Sequence, residues 1–444
     1  VTHHTPGPHL LDPSDERERV ADLNLMAARR AKSSTAYDAA LKYLRAGSVL
    51  LAEETWTHNY ELVFAIEYLM SECELLTADT AAAEGRMSRL AQRAQNRHDF
   101  CVVTRLRLTL YTALDRCDRA ADVFLDWLRL DGTDWSNHPT RDDVMREYQR
   151  IWTLLGDRRI EDLFDMPLIT DQDVLDTLDV FTEIVTPALL FDEHLSSLVV
   201  CRMVSLSLEH GNCDGSCFCY VWLGMFAGPR FDNYEDGFRF AQLGYDLVEK
   251  RGLTRYQART YMNIGCTVMP WAKHVGSGRE LIRRAFDAAY RVGDLTFASY
   301  SWDQLVTNFL AVGDPLAETQ AECENGLSFA RRVQFGLVIE LCSLQLGLVM
   351  SLRGLTDKFG SLDHLEYTEA ETERRLASNP NLVFAEFYYL TRKCEARFFA
   401  GDAATAAQAS LKADALVWTS SAQFETAEHQ LYGALAHAGA WDGA

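Results

Sequence analysis

The sequence has 444 residues, 48% of them hydrophobic and 24% charged, a composition that can bury a large core and excludes the disordered and fibrous classes. Lys and Arg total 43 against 64 Asp and Glu, a formal charge of -21 with no basic run to interrupt it. Such a surface repels a phosphate backbone, so nucleic acid is not expected as a partner of the surface as a whole, which leaves open a local basic pocket. Eleven cysteines, spread from Cys73 to Cys394 with no C-x-x-C pair, fit reduced thiols in a cytoplasmic protein better than a disulfide framework.

In chain order, "VTHHTPGPHLLDPSDERERV" lacks the apolar segment of a signal peptide. The chain begins at Val1 and reads as a piece of a longer polypeptide. In "AYDAALKYLRAGSVLL" the residues Tyr37, Ala40, Leu41, Leu44 and Leu51 form one stripe of a helix. A further hairpin helix is expected over Asp118 to Leu130, and "HPTRDDV" and "LITDQDV" offer Thr140 with Asp143 and Thr170 with Asp173 as helix starts. Pro167 and Pro187 interrupt the rhythm between Asp157 and Asp192, which reads as an irregular junction.

"LEHGNCDGSCFCYVW" gathers His210, Cys213, Cys217 and Cys219, dense enough to suggest zinc. Two cysteines two apart on a helix project about 200° from each other, so Cys217 and Cys219 cannot face one ion together. Small apolar side chains lining a tight hairpin is the plainer reading. "MPWAKHV" breaks a helical run at Pro270 and presents Trp271, Lys273 and His274, either as a ligand-facing lip or as a tryptophan packed at a helix end. Directly after it, Gly276, Ser277 and Gly278 precede a helix beside Arg279, a weak anion-site pattern that more often makes a turn.

At "AVGDPLAE", Gly313 suits the close of one helix, with Asp314 as the next cap and Pro315 in its first turn. "FGLVIELCSLQLGLVMSL" is apolar enough to weigh as a membrane span, but Glu340 and Gln345 near its centre favour a core helix. Helices of similar look open near Tyr234, Ser277, Pro315, Phe359 and Asp402, about 40 residues apart, the unit of an α-solenoid. The expected fold is therefore all-α, a tetratricopeptide-like solenoid of stacked hairpins: 1–156 as one half, 157–192 as junction, 193–444 as the other. Phosphate loop, H-E-x-x-H, G-x-S-x-G and kinase motifs are all missing from the sequence.

The run from Phe191 to Gly265, with "ERERVADLNLMAARRAKSSTAYDAALKYL", "GRELIRRAFDAAYRVGDLTFASYS", "GDPLAE" and "LRGLTDKFGS", resembles the helical region of large bacterial trifunctional proteins. These join a serine/threonine kinase, an ATPase module and a sensor histidine kinase of the two-component type. The resemblance runs from about Glu16 onward, and only "VTHHTPGPHLL" departs from it. It implies a tetratricopeptide-like superhelix between catalytic modules, with no catalytic residue, metal or cofactor of its own.

The leading expectation is a non-catalytic sensor and scaffold segment, binding a protein partner or a ligand and coupling it to attached ATPase and kinase modules. A small-molecule receptor with its ligand in the solenoid groove near Trp271, Lys273 and His274 is one alternative. A cysteine-based metal or redox sensor is another. Neither nucleic acid nor membrane is expected as a partner.

Overall fold

The computed structural model describes residues 13–130, 132–365, 367–379 and 382–441. The segment in which a signal peptide and the family pattern were sought thus lies largely outside the described residues. Among the described residues all regular structure is helical, and β-type pairing is limited to two isolated bridges, Leu168 with Asn212 and His364 with Tyr367. Helices pack mainly on their neighbours in sequence, as stacked hairpins must.

The chain forms two compact units that divide between Leu110 and Tyr111, not across the 157–192 stretch. The first unit contains α1 (Pro13–Ser33), α2 (Tyr37–Ser48), α3 (Thr55–His58), α4 (Tyr60–Leu76), α5 (Thr80–Arg93) and most of α6 (Arg97–Ala113). The expected stripe on α2 is its buried face: Ala40, Leu41 and Leu44 join Ala21, Leu25 and Ala28 of α1 and Ile66, Leu69 and Cys73 of α4. Arg86 of α5 bonds both Glu67 and Glu74 of α4, tying the next hairpin.

The second unit continues with α7 (Cys117–Leu130), α8 (Arg141–Leu155), α9 (Gln172–Phe191), α10 (Glu193–His210), α11 (Asp214–Phe231) and α12 (Tyr234–Arg251). Then follow α13 (Gln257–Asn263), α14 (Met269–Ala272), α15 (Arg279–Val292), α16 (Leu295–Val312), α17 (Leu316–Val333) and α18 (Gly336–Leu352). It closes with α19 (Glu369–Ser378), α20 (Val383–Phe399), α21 (Ala403–Asp414) and α22 (Phe424–Ala440).

Thr140 and Asp143 form the expected capping box of α8. One residue past Thr170, the side chain of Asp171 caps α9 by accepting from the Asp173 N–H at 2.9 Å. Most of the expected junction is α9 itself, which runs on through Pro187. Irregular chain is confined to the 3-10 turn Ile160–Asp165 and the residues up to 171. Asn212 pins this stretch: its N–H donates to the Pro167 carbonyl at 2.8 Å and its side-chain amide to that of Leu163 at 2.7 Å.

Gly313 closes α16 at φ 80°, whereas Pro315 occupies the cap position of α17 and the Asp314 carboxylate pairs with Arg279 instead. No helix opens at Phe359. The chain there runs irregularly from the end of α18 to Thr368, turned by Gly354 and Gly360 in the left-handed region. The apolar α18 is buried on most sides, its Glu340 held by Arg375 and by the Tyr367 hydroxyl, its Gln345 by Thr307. No described helix is long and apolar enough to cross a membrane.

Some contacts break the neighbour-to-neighbour order, among them that of α12 with the Ile160–Asp165 turn. The start of α22 packs back on α16, where the Thr307 hydroxyl donates to Glu425 at 2.5 Å. This return encloses space between the inner helices of the second unit.

Candidate functional site

Six helices of the second unit contribute to one cavity: α9, α11, α13, α16, α18 and α20 each supply lining residues, and Gln423 at the start of α22 completes it. The cavity encloses about 60 Å³, room for a few waters or a small organic molecule. Much of its wall is apolar and aromatic, with Trp222, Phe297, Tyr300 and Phe384 among the lining rings.

The polar groups in this wall come from places where an apolar helix carries an exception. In α16, "LTFASYSWDQLVTNFLAV", the single charged residue is Asp303. It is 1% exposed, its Oδ2 accepts from the Gln304 amide at 3.0 Å, and its Oδ1 has no hydrogen-bond partner in the protein. Burial, helped by the charge of Glu425, pushes its pKa up to about 8, while the Gln304 hydrogen bond and Arg392 oppose the rise. Trp222 of α11 is 3% exposed and its indole N–H is likewise unpartnered, as is Oε1 of Gln423. Buried polar atoms ordinarily find partners, and these three belong to residues of the cavity wall.

Behind Asp303 stands a buried ionic cluster. Arg392 of α20 donates to Glu395 at 3.1 Å, to Glu428 at 2.7 Å and to Glu425 at 3.3 Å. One arginine faces three glutamates, and burial pushes the Glu428 pKa up to about 8 and raises that of Glu395. On the other side Arg259 stacks on Phe297 at 4.9 Å and is tied to Glu183 at 3.0 Å and Asp294 at 3.2 Å.

Asn263, also in the wall, ends α13 where the chain widens into a π-helical turn, Ile264–Val268. The Met269 N–H bonds the Ile264 carbonyl, five residues back and one residue before Pro270. Proline lacks an N–H and its ring crowds the preceding turn, a common reason for such a break. Widened turns of this kind recur at functional sites. The sequence reading placed a break at Pro270; the break lies just before it.

Trp271, Lys273 and His274 do not line this cavity. The half-buried Trp271 donates its indole N–H to the Ala422 carbonyl at 2.8 Å. Lys273 is exposed, its ammonium 5.1 Å from the centre of the Phe238 ring, and the exposed His274 accepts from the Gly276 N–H at 3.2 Å. Trp271 therefore acts as a packed anchor beside Gln423. The neighbouring Gly-Ser-Gly is a close-contact device, because a Cβ on Gly278 would stand 2.0 Å from the Gly265 carbonyl oxygen. Arg279 is turned to Asn308 and Asp314.

The cysteine cluster belongs to helix packing. Cys217 and Cys219 are buried, with Sγ atoms directed to the Cys213 and Leu253 carbonyls at 3.8 Å and the Ser216 carbonyl at 3.4 Å. His210 is exposed at the end of α10. Burial raises the pKa of Cys213, Cys217 and Cys219, which disfavours the reactive thiolate. Among the described residues no three His, Cys, Asp or Glu side chains are grouped to hold a metal ion. What the hairpin requires is closeness: a Cβ on Gly244 of α12 would meet the Cys217 carbonyl oxygen at 2.4 Å.

No family model matches the chain. It is similar to hybrid signal transduction histidine kinase G of Dictyostelium discoideum, 20% identical over 382 residues, an alignment covering 78% of this chain. The chain spans 11% of the length of that protein.

Proposed function

We propose that this chain is a non-catalytic sensor segment of a large signalling kinase, and that its input is a small molecule held in the cavity of the second unit. One observation carries the reading: a largely apolar cavity into which six helices contribute, with the Trp222 N–H and the Asp303 Oδ1 left without protein partners. Concave, mostly apolar sites with a few placed polar groups are the usual form of small-molecule sites.

The similarity to a hybrid histidine kinase, and the resemblance to the helical region of trifunctional kinase and ATPase proteins, support the signalling setting. The lining holds one acid, Asp303, and no Ser, Cys, His or Lys, which supports the non-catalytic reading. A ligand touching these six helices favours one spacing of the stack over others. It thereby shifts the population that attached ATPase and kinase modules feel.

Differential scanning fluorimetry of the 444-residue chain against amines, amino acids, sugars and nucleotides tests this. At least one small compound is expected to raise the melting temperature in a saturable way, and Leu190→Phe, which fills the wall, to abolish the rise. ATP hydrolysis by the purified chain would overturn the non-catalytic part. An unresponsive library would overturn the receptor.

A further inference from the structure

We infer that the cavity is selective for a small organic cation bearing a hydrogen-bond acceptor, a hydroxyalkylammonium in size and chemistry, with Asp303 as its counter-ion. This rests on the receptor reading above and names the class of its ligand.

The wall has one ionisable acid, Asp303, and no Lys, Arg or His. One oxygen of that carboxylate is buried without a partner, a costly arrangement unless something supplies a proton or a positive charge. The nearby guanidinium groups are already engaged: Arg392 by three glutamates, Arg259 by Glu183 and Asp294. With all groups ionised, the Arg392 cluster together with Asp303 holds four carboxylates against one cation. The core of this unit is short of positive charge at the point where it opens onto the cavity.

Aromatic walls suit such a guest. Trp222, Phe297, Tyr300 and Phe384 offer ring quadrupoles that attract an ammonium and that gain strength when water is excluded. An anion would face Asp303, and a sugar would leave most of its hydroxyls against apolar wall. The unpartnered Trp222 N–H asks for an acceptor on the guest, which a hydroxyl supplies. The volume of about 60 Å³ holds only a few heavy atoms, which excludes nucleotides and long polyamines.

The groups that face Asp303 set how binding responds to pH. Glu425 of α22 and burial keep its proton on, while Arg392 of α20 and the Gln304 amide oppose them. Tyr300 on its own helix, Tyr388 of α20, Cys266 of the π turn and Cys342 of α18 all have pKa values raised by burial and stay neutral. With a pKa of about 8, Asp303 is mostly protonated at neutral pH. An entering cation displaces that proton to the buffer, and charge balances.

The test is calorimetric titration of the full chain with ethanolamine, and with 1-propanol, its uncharged carbon analogue. Ethanolamine is expected to bind with release of about one proton at neutral pH, read from two buffers of different ionisation enthalpy, and to tighten roughly tenfold for each unit that the pH rises toward the Asp303 pKa. Asp303→Asn, checked for intact helicity by circular dichroism, is expected to weaken ethanolamine at least tenfold and to remove both proton release and pH dependence. Trp222→Phe keeps an aromatic ring and serves as the second variant, weakening ethanolamine severalfold with proton release retained. If 1-propanol binds as well as ethanolamine, and Asp303→Asn changes neither, the cation inference falls while the receptor stands. If neither probe binds and no other compound does, the receptor falls as well.

Discussion

The indole N–H of Trp271 reaches the carbonyl oxygen of Ala422, 151 residues later in the chain, at 2.8 Å. It fastens the short helix after the π turn to the residue preceding Gln423, which lines the cavity. Trp271→Phe deletes the donor and keeps most of the packing. The expected loss is about 0.5–1.5 kcal/mol in urea unfolding, with severalfold weaker ligand binding as Gln423 loosens. Lys273→Ala and His274→Ala, both at exposed positions outside the wall, are expected to leave binding unchanged.

Stability should fall as pH rises across neutrality. Asp303 and Glu428 each hold a proton in the folded chain up to about pH 8, whereas in the unfolded chain they ionise in the ordinary carboxylate range. The folded state therefore binds more protons than the unfolded one between those limits, and each pH unit gained there costs stability that is fully present only at acid pH. Melting curves of the wild type from pH 6 to pH 9 are expected to shift downward. Asp303→Asn flattens the slope, and an equal slope in the variant counts against the assignment.

Close helix contacts predict which glycines resist substitution. Gly244→Ala places a methyl against the Cys217 carbonyl, and Gly278→Ala places one against that of Gly265. Each is expected to cost roughly 1–3 kcal/mol. Gly336, with nothing within 4 Å of an added Cβ, serves as the control. Gly336→Ala at the start of α18 should be neutral or stabilising by up to about 1 kcal/mol.

Thiol chemistry separates packing from sensing. Ten of the eleven cysteines are buried and Cys213 is half-buried, and burial raises the pKa of Cys213, Cys217 and Cys219. Ellman's reagent at pH 8 is expected to label Cys217 and Cys219 only after denaturation, and protein purified without chelator to carry no stoichiometric zinc. Rapid labelling of either residue in the folded chain would contradict the packing assigned here.

Local pattern carried much of the secondary structure. Stripes such as Ala40, Leu41 and Leu44, the Thr140 box and the stop at Gly313 are written in a few adjacent residues, so helix positions and hairpin spacing could be read directly. The misreadings are local as well. At Phe359 a glycine-rich loop replaces an expected helix start, and at Pro187 a proline near a helix end failed to break it. Cap assignment shifted where Asp314 found Arg279, a partner no neighbouring residue announces.

The cavity was not legible in the same way, because each helix gives it only one to four residues and the closure comes from α22 folding back on α16. One signal was available: Asp303 is the sole charge in an otherwise uncharged helix, and an acid in such a place needs a reason. Trp271 was singled out for its neighbours in sequence, yet its role depends on Ala422.

By itself the sequence determined that this chain is helical, built of hairpins and covered with negative charge, since those follow from periodicity and composition. Only the tertiary structure decided where function could sit. A cavity is a property of side chains brought together from distant helices, and whether a buried carboxylate has a partner depends on what packs opposite it.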